Sequence, residues 1–275
     1  MKLVGDSCLD ITPELQKRLN ITNVPLTITL KDNSYLDDEN LDLPQLLEDI
    51  RNCEEKIQTA APSPALFREA FSGDDEVLAV TLSANLSSSY QSAMIAKSDI
   101  EEESKCKVHV FNSKSASAAE TLTALKIKDF IDNNETMQNI ISKIEDFISN
   151  MKTYFVLDDI STLIKNGRMN KFVGSIITTL GIKPIMRDDG DGNITLAGHS
   201  RSENQTIKKM VEFVVKSMKK TTNERMVISH CNNPSLAERI MTAVREKFDF
   251  AEILIVPTGG ISSVYANEGG VILAF

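Results

Sequence analysis

Short apolar runs alternate with stretches whose apolar residues recur every three or four positions along much of this 275-residue chain. These two periods mark strands and amphipathic helices respectively. Leu3-Val4 predicts a short strand ending at Gly5-Asp6-Ser7. A helix over 12–19 follows, with Thr12 as N-cap and Pro13 at the first helical position, where a missing N–H leaves no bond unmade. Val24 to Leu30 alternates and reads as one strand, with Pro25 at its start or edge. Asp42 opens a further helix, and Ser63-Pro64 repeats the Thr12-Pro13 device for a helix through Phe71. Val77–Leu82 is a buried strand, residues 87–98 a helix and Lys107–Phe111 a strand, before two longer helices at about 115–133 and 136–150. This β-α alternation predicts a parallel sheet with helices on its faces.

Beyond residue 150 the pattern changes. Tyr154–Leu157 reads as a strand, 161–166 as a short helix and Phe172–Leu180 as an apolar helix. Ile182–Arg187 and Ile194–His199 flank the turn Asp188-Asp-Gly-Asp-Gly-Asn193 and form a hairpin. Helix 204–220, strand Met226–Ser229, helix 234–248 and strands Ile253–Val256 and Gly270–Phe275 complete the chain. The expected fold class is α/β in two domains: a parallel α/β sheet over 1–150 and an α+β mixed sheet over 151–275.

Composition narrows the function classes. A chain that is 41% hydrophobic and 25% charged is ordinary for a globular protein. Its net charge of −9 argues against a general nucleic-acid binder and gives no long-range attraction for an anion, so any acid must be held by local donors. Cys8, Cys53, Cys106 and Cys231 have neither C-x-x-C nor zinc-ligand spacing and are expected as reduced, partly buried small hydrophobes. The N-terminus lacks a signal-peptide h-region, and no run approaches the roughly 20 apolar residues of a membrane span. A cytoplasmic soluble protein without stable membrane insertion is expected.

No metal or cofactor is implied. His109, His199 and His230 are far apart and lack metal partners at helical spacing. The acidic turn has the look of a calcium loop, yet Ile194 stands where glycine is needed and Ser200 where the bidentate Glu belongs. G-x-S-x-G, Walker A, G-x-G-x-x-G and H-E-x-x-H are all absent from the sequence.

The candidate chemistry lies in hydroxyls. An apolar strand runs into the serine-rich turn Ser83-Ala-Asn-Leu-Ser-Ser-Ser89, where unpaired helix N–H groups and hydroxyls form a receptor for a small anion. Ser7, Ser83, Ser87 and Ser113 all follow strand ends, where ligands sit in open parallel sheets, and Thr59 precedes a helix that can face the same edge. Each of these residues can equally be a simple helix cap. Arg168, on a glycine-bearing turn, reads either as a carboxylate or phosphate reader or as a solvating surface charge. The site has no obvious catalytic base. Two further readings stay open: an acyl- or phosphoryl-transfer enzyme using one of Ser87–Ser89, with a distant histidine folded close, and a regulatory module for another small amphiphile.

Gly5-Asp-Ser-Cys-Leu-Asp10, Thr59-x-x-Pro-Ser63, Leu82-Ser-x-x-Leu-Ser87 with Tyr90-Gln-Ser-Ala93, Leu163-Ile-Lys-x-Gly-Arg168 and Ile182-Lys-Pro-Ile185 resemble the DegV fatty-acid-binding proteins, in order and over essentially the whole chain. The resemblance implies two α/β domains with one long-chain fatty acid buried between them. It implies a carrier without catalytic residues of its own, presenting the acid to a separate fatty-acid kinase. The carboxylate-holding hydroxyls fall on Thr59 and Ser87. Ser88, Arg168 and Tyr265 are head-group neighbours, and Arg201 falls where an arginine is linked to kinase docking. Four departures accompany the match. Thr-Ser-Gln-Pro of the pattern is Thr59-Ala60-Ala61-Pro62 here, Leu-Ser-Gly-Thr-Tyr is Leu86-Ser87-Ser88-Ser89-Tyr90, the double glycine before arginine is Asn166-Gly167, and a C-terminal histidine is Tyr265. Tyrosine donates a hydrogen bond but is no cation near neutral pH.

Overall fold

The structure, a computed structural model, describes residues 1–73, 76–169, 182–217 and 223–275. The apolar segment Phe172–Leu180 and the end of the helix expected over 204–220 lie outside the described residues. In chain order the first half gives β1 (Lys2–Asp6), α1 (Pro13–Leu19), β2 (Ile21–Val24), β3 (Thr27–Leu30), β4 (Asn33–Leu36), α2 (Leu43–Arg51) and β5 (Gln58–Ala60). It continues with α3 (Pro64–Phe71), β6 (Glu76–Thr81), α4 (Ser89–Glu103), β7 (Lys107–Asn112), α5 (Ala118–Asp132) and α6 (Met137–Asn150). The described second half gives β8 (Thr153–Val156), α7 (Ser161–Lys165), β9 (Lys183–Asp188), β10 (Ile194–Ser200) and α8 (Glu203–Ser217). Then come β11 (Arg225–His230), α9 (Pro234–Arg245), β12 (Glu252–Pro257), α10 (Gly260–Ala266) and β13 (Val271–Ala274).

The cap-and-proline starts form as their chemistry dictates. Thr12 Oγ1 accepts from Leu15 N at 3.2 Å, Asp42 Oδ1 from Gln45 N at 3.0 Å and Ser63 Oγ from Leu66 N at 3.4 Å. A parallel four-stranded sheet runs in the order β2-β1-β6-β7. Its central strand β6 is apolar on both faces because both are covered. Val77 and Ala79 meet Phe67, Phe71, Ala93 and Ala96 of α3 and α4, while Leu78 and Val80 share a core with α1, α5 and α6.

The second-half strands build a six-stranded mixed sheet in the order β10-β9-β8-β13-β11-β12, with β11 and β12 as its parallel pair. Tyr154, Val156, Val271 and Leu273 point to the α8–α9 side. Phe155 and its cross-strand partner Ile272 point the other way, with Leu157. Helix α5 lies between the two sheets, touching β1 and β6 on one side and β11 and β13 on the other. That position explains why Ala118 through Leu125 are all buried, since a helix enclosed all round cannot be amphipathic.

Two expectations need correction. Val24–Leu30 is two strands, because Pro25 has no N–H and the Leu26 N–H donates to Ser7 Oγ at 3.0 Å. β3 therefore leaves for a separate antiparallel sheet, β4-β3-β5. Thr59 precedes helix α3, which Ser63 caps as expected, but it lies on an unexpected short strand, β5, opposite Ile28. Helix α4 begins at Ser89 instead of Ser87, since the Leu86 and Ser87 N–H groups both turn back to Ser83 O.

Candidate functional site

The order β2-β1-β6-β7 reverses between β1 and β6, so the loops leaving these strands diverge and open a crevice at their carboxyl ends. A cavity of about 380 Å³ sits there, bordered by Cys8 and Leu82 from those loops and by Phe155, Leu157 and Ile272 from the facing mixed sheet. Its volume lies within the roughly 300–1,000 Å³ span of small-molecule sites.

Thr59, Ser87, Ser88, Arg168 and Tyr265 all line this one cavity. Thr59 Oγ1 and Tyr265 Oη are 2.7 Å apart. Tyr265 Oη also accepts from Asn166 Nδ2 at 3.4 Å. Arg168 Nη1 donates to Asn166 O at 2.5 Å and Nε to Leu86 O at 2.9 Å, which holds the guanidinium beside Ser87. The Ser87 oxygen accepts the Ser89 N–H at 3.2 Å, leaving its own proton to donate. Ser88 is the N-cap of α4, but its side chain makes no capping bond. Arg201 is exposed, its N–H bonded to Gln205 Oε1 at 3.0 Å, and it does not line the cavity.

The other strand-end serines serve the fold. Ser7 Oγ receives Leu26 N, Ser113 Oγ donates to Ser115 O, and Ser83 Oγ donates to Gly192 O at 2.8 Å. This last bond clamps the β9–β10 turn onto the serine loop and brings Asn193 and Ile194 to the cavity wall. Gly192 has φ +93°, and a Cβ there would sit 2.3 Å from Ser83 Oγ. Gly192→Ala is therefore expected to lower stability by about 1–2 kcal/mol, read from denaturant midpoints, through backbone strain and loss of this clamp.

Buried carboxylates organise the wall behind Cys8. Asp6 accepts Cys8 N, Leu82 N at 3.0 Å and Ser89 Oγ at 2.5 Å, so one side chain joins the ends of β1 and β6 to α4. Asp10 accepts Gly259 N at 2.8 Å and Ser117 Oγ. Asp37 accepts Gly260 N at 2.8 Å and Ile261 N at 2.9 Å. Asp10 and Asp37 together hold the start of α10, the helix that carries Tyr265. Burial raises the carboxyls of Asp6, Asp10 and Glu120, and brings Asp37 to about 6. Burial likewise pushes the Cys8 thiol well above its ordinary range, so it is no thiolate nucleophile. None of His109, His199 and His230 lines the cavity. No cluster of acidic, cysteine or histidine side chains fit to hold a metal occurs among the described residues.

The sequence reading missed Asn166, Asp37 and all of α10. Gly259-Gly260 looks like a plain loop in sequence, because its helix start is capped by side chains more than 200 residues away. The signal for Asn166 and Tyr265 was their joint departure from the family pattern; that they touch is visible only in three dimensions.

A family model described as an uncharacterised protein of the DegV family matches residues 1–275. A DegV family protein from Ruminococcus gnavus, solved with vaccenic acid, superposes with a TM-score of 0.93 at 35% identity, over 100% of this chain and 99% of that one. One from Eubacterium eligens, loaded with heptadecanoic acid, gives 0.93 at 28% identity, over 100% and 98%. The Fatty Acid Kinase (Fak) B3 protein of Streptococcus pneumoniae, loaded with linoleic acid, gives 0.92 at 31% identity, over 100% and 98%. The chain belongs to the DegV family.

Proposed function

We propose that this chain binds a long-chain fatty acid in the cavity between its two large sheets, with Thr59 and Ser87 holding the carboxylate. The observation that carries this reading is that Thr59, bonded to Tyr265, and Ser87, next to the Leu86 carbonyl that holds Arg168, line the same largely apolar cavity. A buried carboxylate is costly without donors, and hydroxyl protons supply them. The tail provides the driving force: at about 0.8 kcal/mol per CH₂, a 16-carbon chain contributes roughly 10 kcal/mol before ordering costs. The three relatives hold acyl chains of this kind.

The protein acts as a carrier with no chemistry of its own, since no imidazole lines the cavity beside Ser87 to take its proton. It works as two domains, 1–150 and 151–275, and presents its acid to a fatty-acid kinase in the cytoplasm, with exposed Arg201 at the docking face. The kinship with a Fatty Acid Kinase B3 protein supports that partnership. Among the described residues no helix is long and apolar enough to cross a membrane. Denaturing mass spectrometry of lipid extracted from the purified protein tests the binding reading. A stoichiometric fatty acid is expected; no acyl chain, together with no uptake of added acid, overturns it.

A further inference from the structure

Asn166 ends α7 as a buried side chain with one clear geometric constraint. Its amide group lies 3.0 Å from Ile57 O, and a carbonyl can only accept, so the atom facing it is Nδ2. The same Nδ2 lies 3.4 Å from Tyr265 Oη and therefore donates to it. Thr59 Oγ1 and Tyr265 Oη lie 2.7 Å apart, where either hydroxyl can donate, and an oxygen already accepting from Asn166 favours Tyr265 giving its single proton to Thr59. Thr59 accepts that proton and directs its own into the cavity.

We propose that Asn166 is a positioning residue that fixes the direction of a hydrogen-bond relay, Asn166 to Tyr265 to Thr59 to ligand. The relay makes the head-group site a donor, so it selects a head group that accepts, a carboxylate, over one that can also donate, such as a fatty alcohol. The inference rests on the fatty-acid reading. It also accounts for two departures from the family pattern at once. Glycine before Gly167 offers no donor, and a histidine at 265 can charge; here a neutral amide and a phenol supply direction without charge.

The test compares affinities of the delipidated protein for vaccenic acid and for the alcohol of the same chain. In Asn166→Asp an oxygen faces Tyr265, which turns its proton away from Thr59; Thr59 then donates to Tyr265 and shows the ligand only lone pairs. The acid-over-alcohol preference is expected to fall about tenfold or more. In Asn166→Gly the donor is removed without an acceptor replacing it, the relay can point either way, and a fall of about threefold is expected. A merely structural role lowers both affinities together and leaves their ratio unchanged. A ratio within about twofold of wild type in Asn166→Gly overturns the relay, and does so even if Asn166→Asp fails to fold. Binding of neither lipid by the wild type overturns the fatty-acid reading itself, a different result from an unchanged ratio.

Discussion

The double variant Thr59→Val, Ser87→Ala is expected to bind long-chain fatty acid about 100-fold or more weakly than the wild type, with little change in thermal midpoint. Each lost hydroxyl removes a hydrogen bond to a charged group, worth about 1.5–3 kcal/mol, so two amount to about 3–6 kcal/mol, or 10²- to 10⁴-fold. Valine keeps the shape of threonine and its fit to β5, and Ser87 is only partly buried in a loop, so neither change opens the core. The tail still buries its methylenes in the double variant, which retains weak binding. Single variants each lose about tenfold or somewhat more, and their sum need not match the double, since Arg168 and Asn166 link the two positions. Titration calorimetry on delipidated protein measures this; affinity within a factor of two or three of wild type places the carboxylate elsewhere.

Asp37→Ala carries the largest expected loss of stability, about 2–4 kcal/mol. The carboxylate accepts the Gly260 and Ile261 N–H groups at the buried start of α10, and its removal leaves both donors without a partner, at about 1–3 kcal/mol each. Because α10 carries Tyr265, lipid affinity falls as well. The cost depends on pH in a defined sense. Asp37 titrates at about 6 in the folded protein, above its ordinary 3.8, so the folded state holds the proton more tightly than the unfolded chain. The contribution is fully present below about pH 4 and is lost as pH rises through about 6. Asp37 therefore favours the folded state more at pH 5 than at 7.5, and this share disappears in Asp37→Ala, while His109 and His230, held below their ordinary range by burial, act in the opposite sense in both proteins. Burial raises Asp6, Asp10 and Glu120 in the same direction as Asp37, in the variant as in the wild type. Urea unfolding of both proteins at the two pH values checks it; identical pH responses contradict the role of Asp37.

How far the sequence could be read depends on the range of the interactions that build each element. Thr12-Pro13 and Ser63-Pro64 announce helices because cap and proline act within one turn. The run at Val77–Leu82 announces a central strand because both its faces are covered. By contrast, Gln58–Ala60 is three residues long and becomes a strand only by pairing with β3, so the sequence shows Thr59 only as a residue ahead of a helix. Helix α10 begins in two glycines and is stabilised by Asp10 and Asp37, so nothing local marks it. The same division holds in the site. Ser87 stands out in its serine cluster, and Tyr265 as a departure from a pattern, while Asn166 gains its role from a contact with a residue 99 positions away.

The most direct test of the carboxylate site is a crystal structure of the chain with vaccenic acid bound. The carboxylate is expected within about 3 Å of both Thr59 Oγ1 and Ser87 Oγ, with the acyl chain running past Phe155 and Ile272. An acyl chain whose carboxylate lies out of reach of both hydroxyls, or a cavity that takes up none, would contradict it.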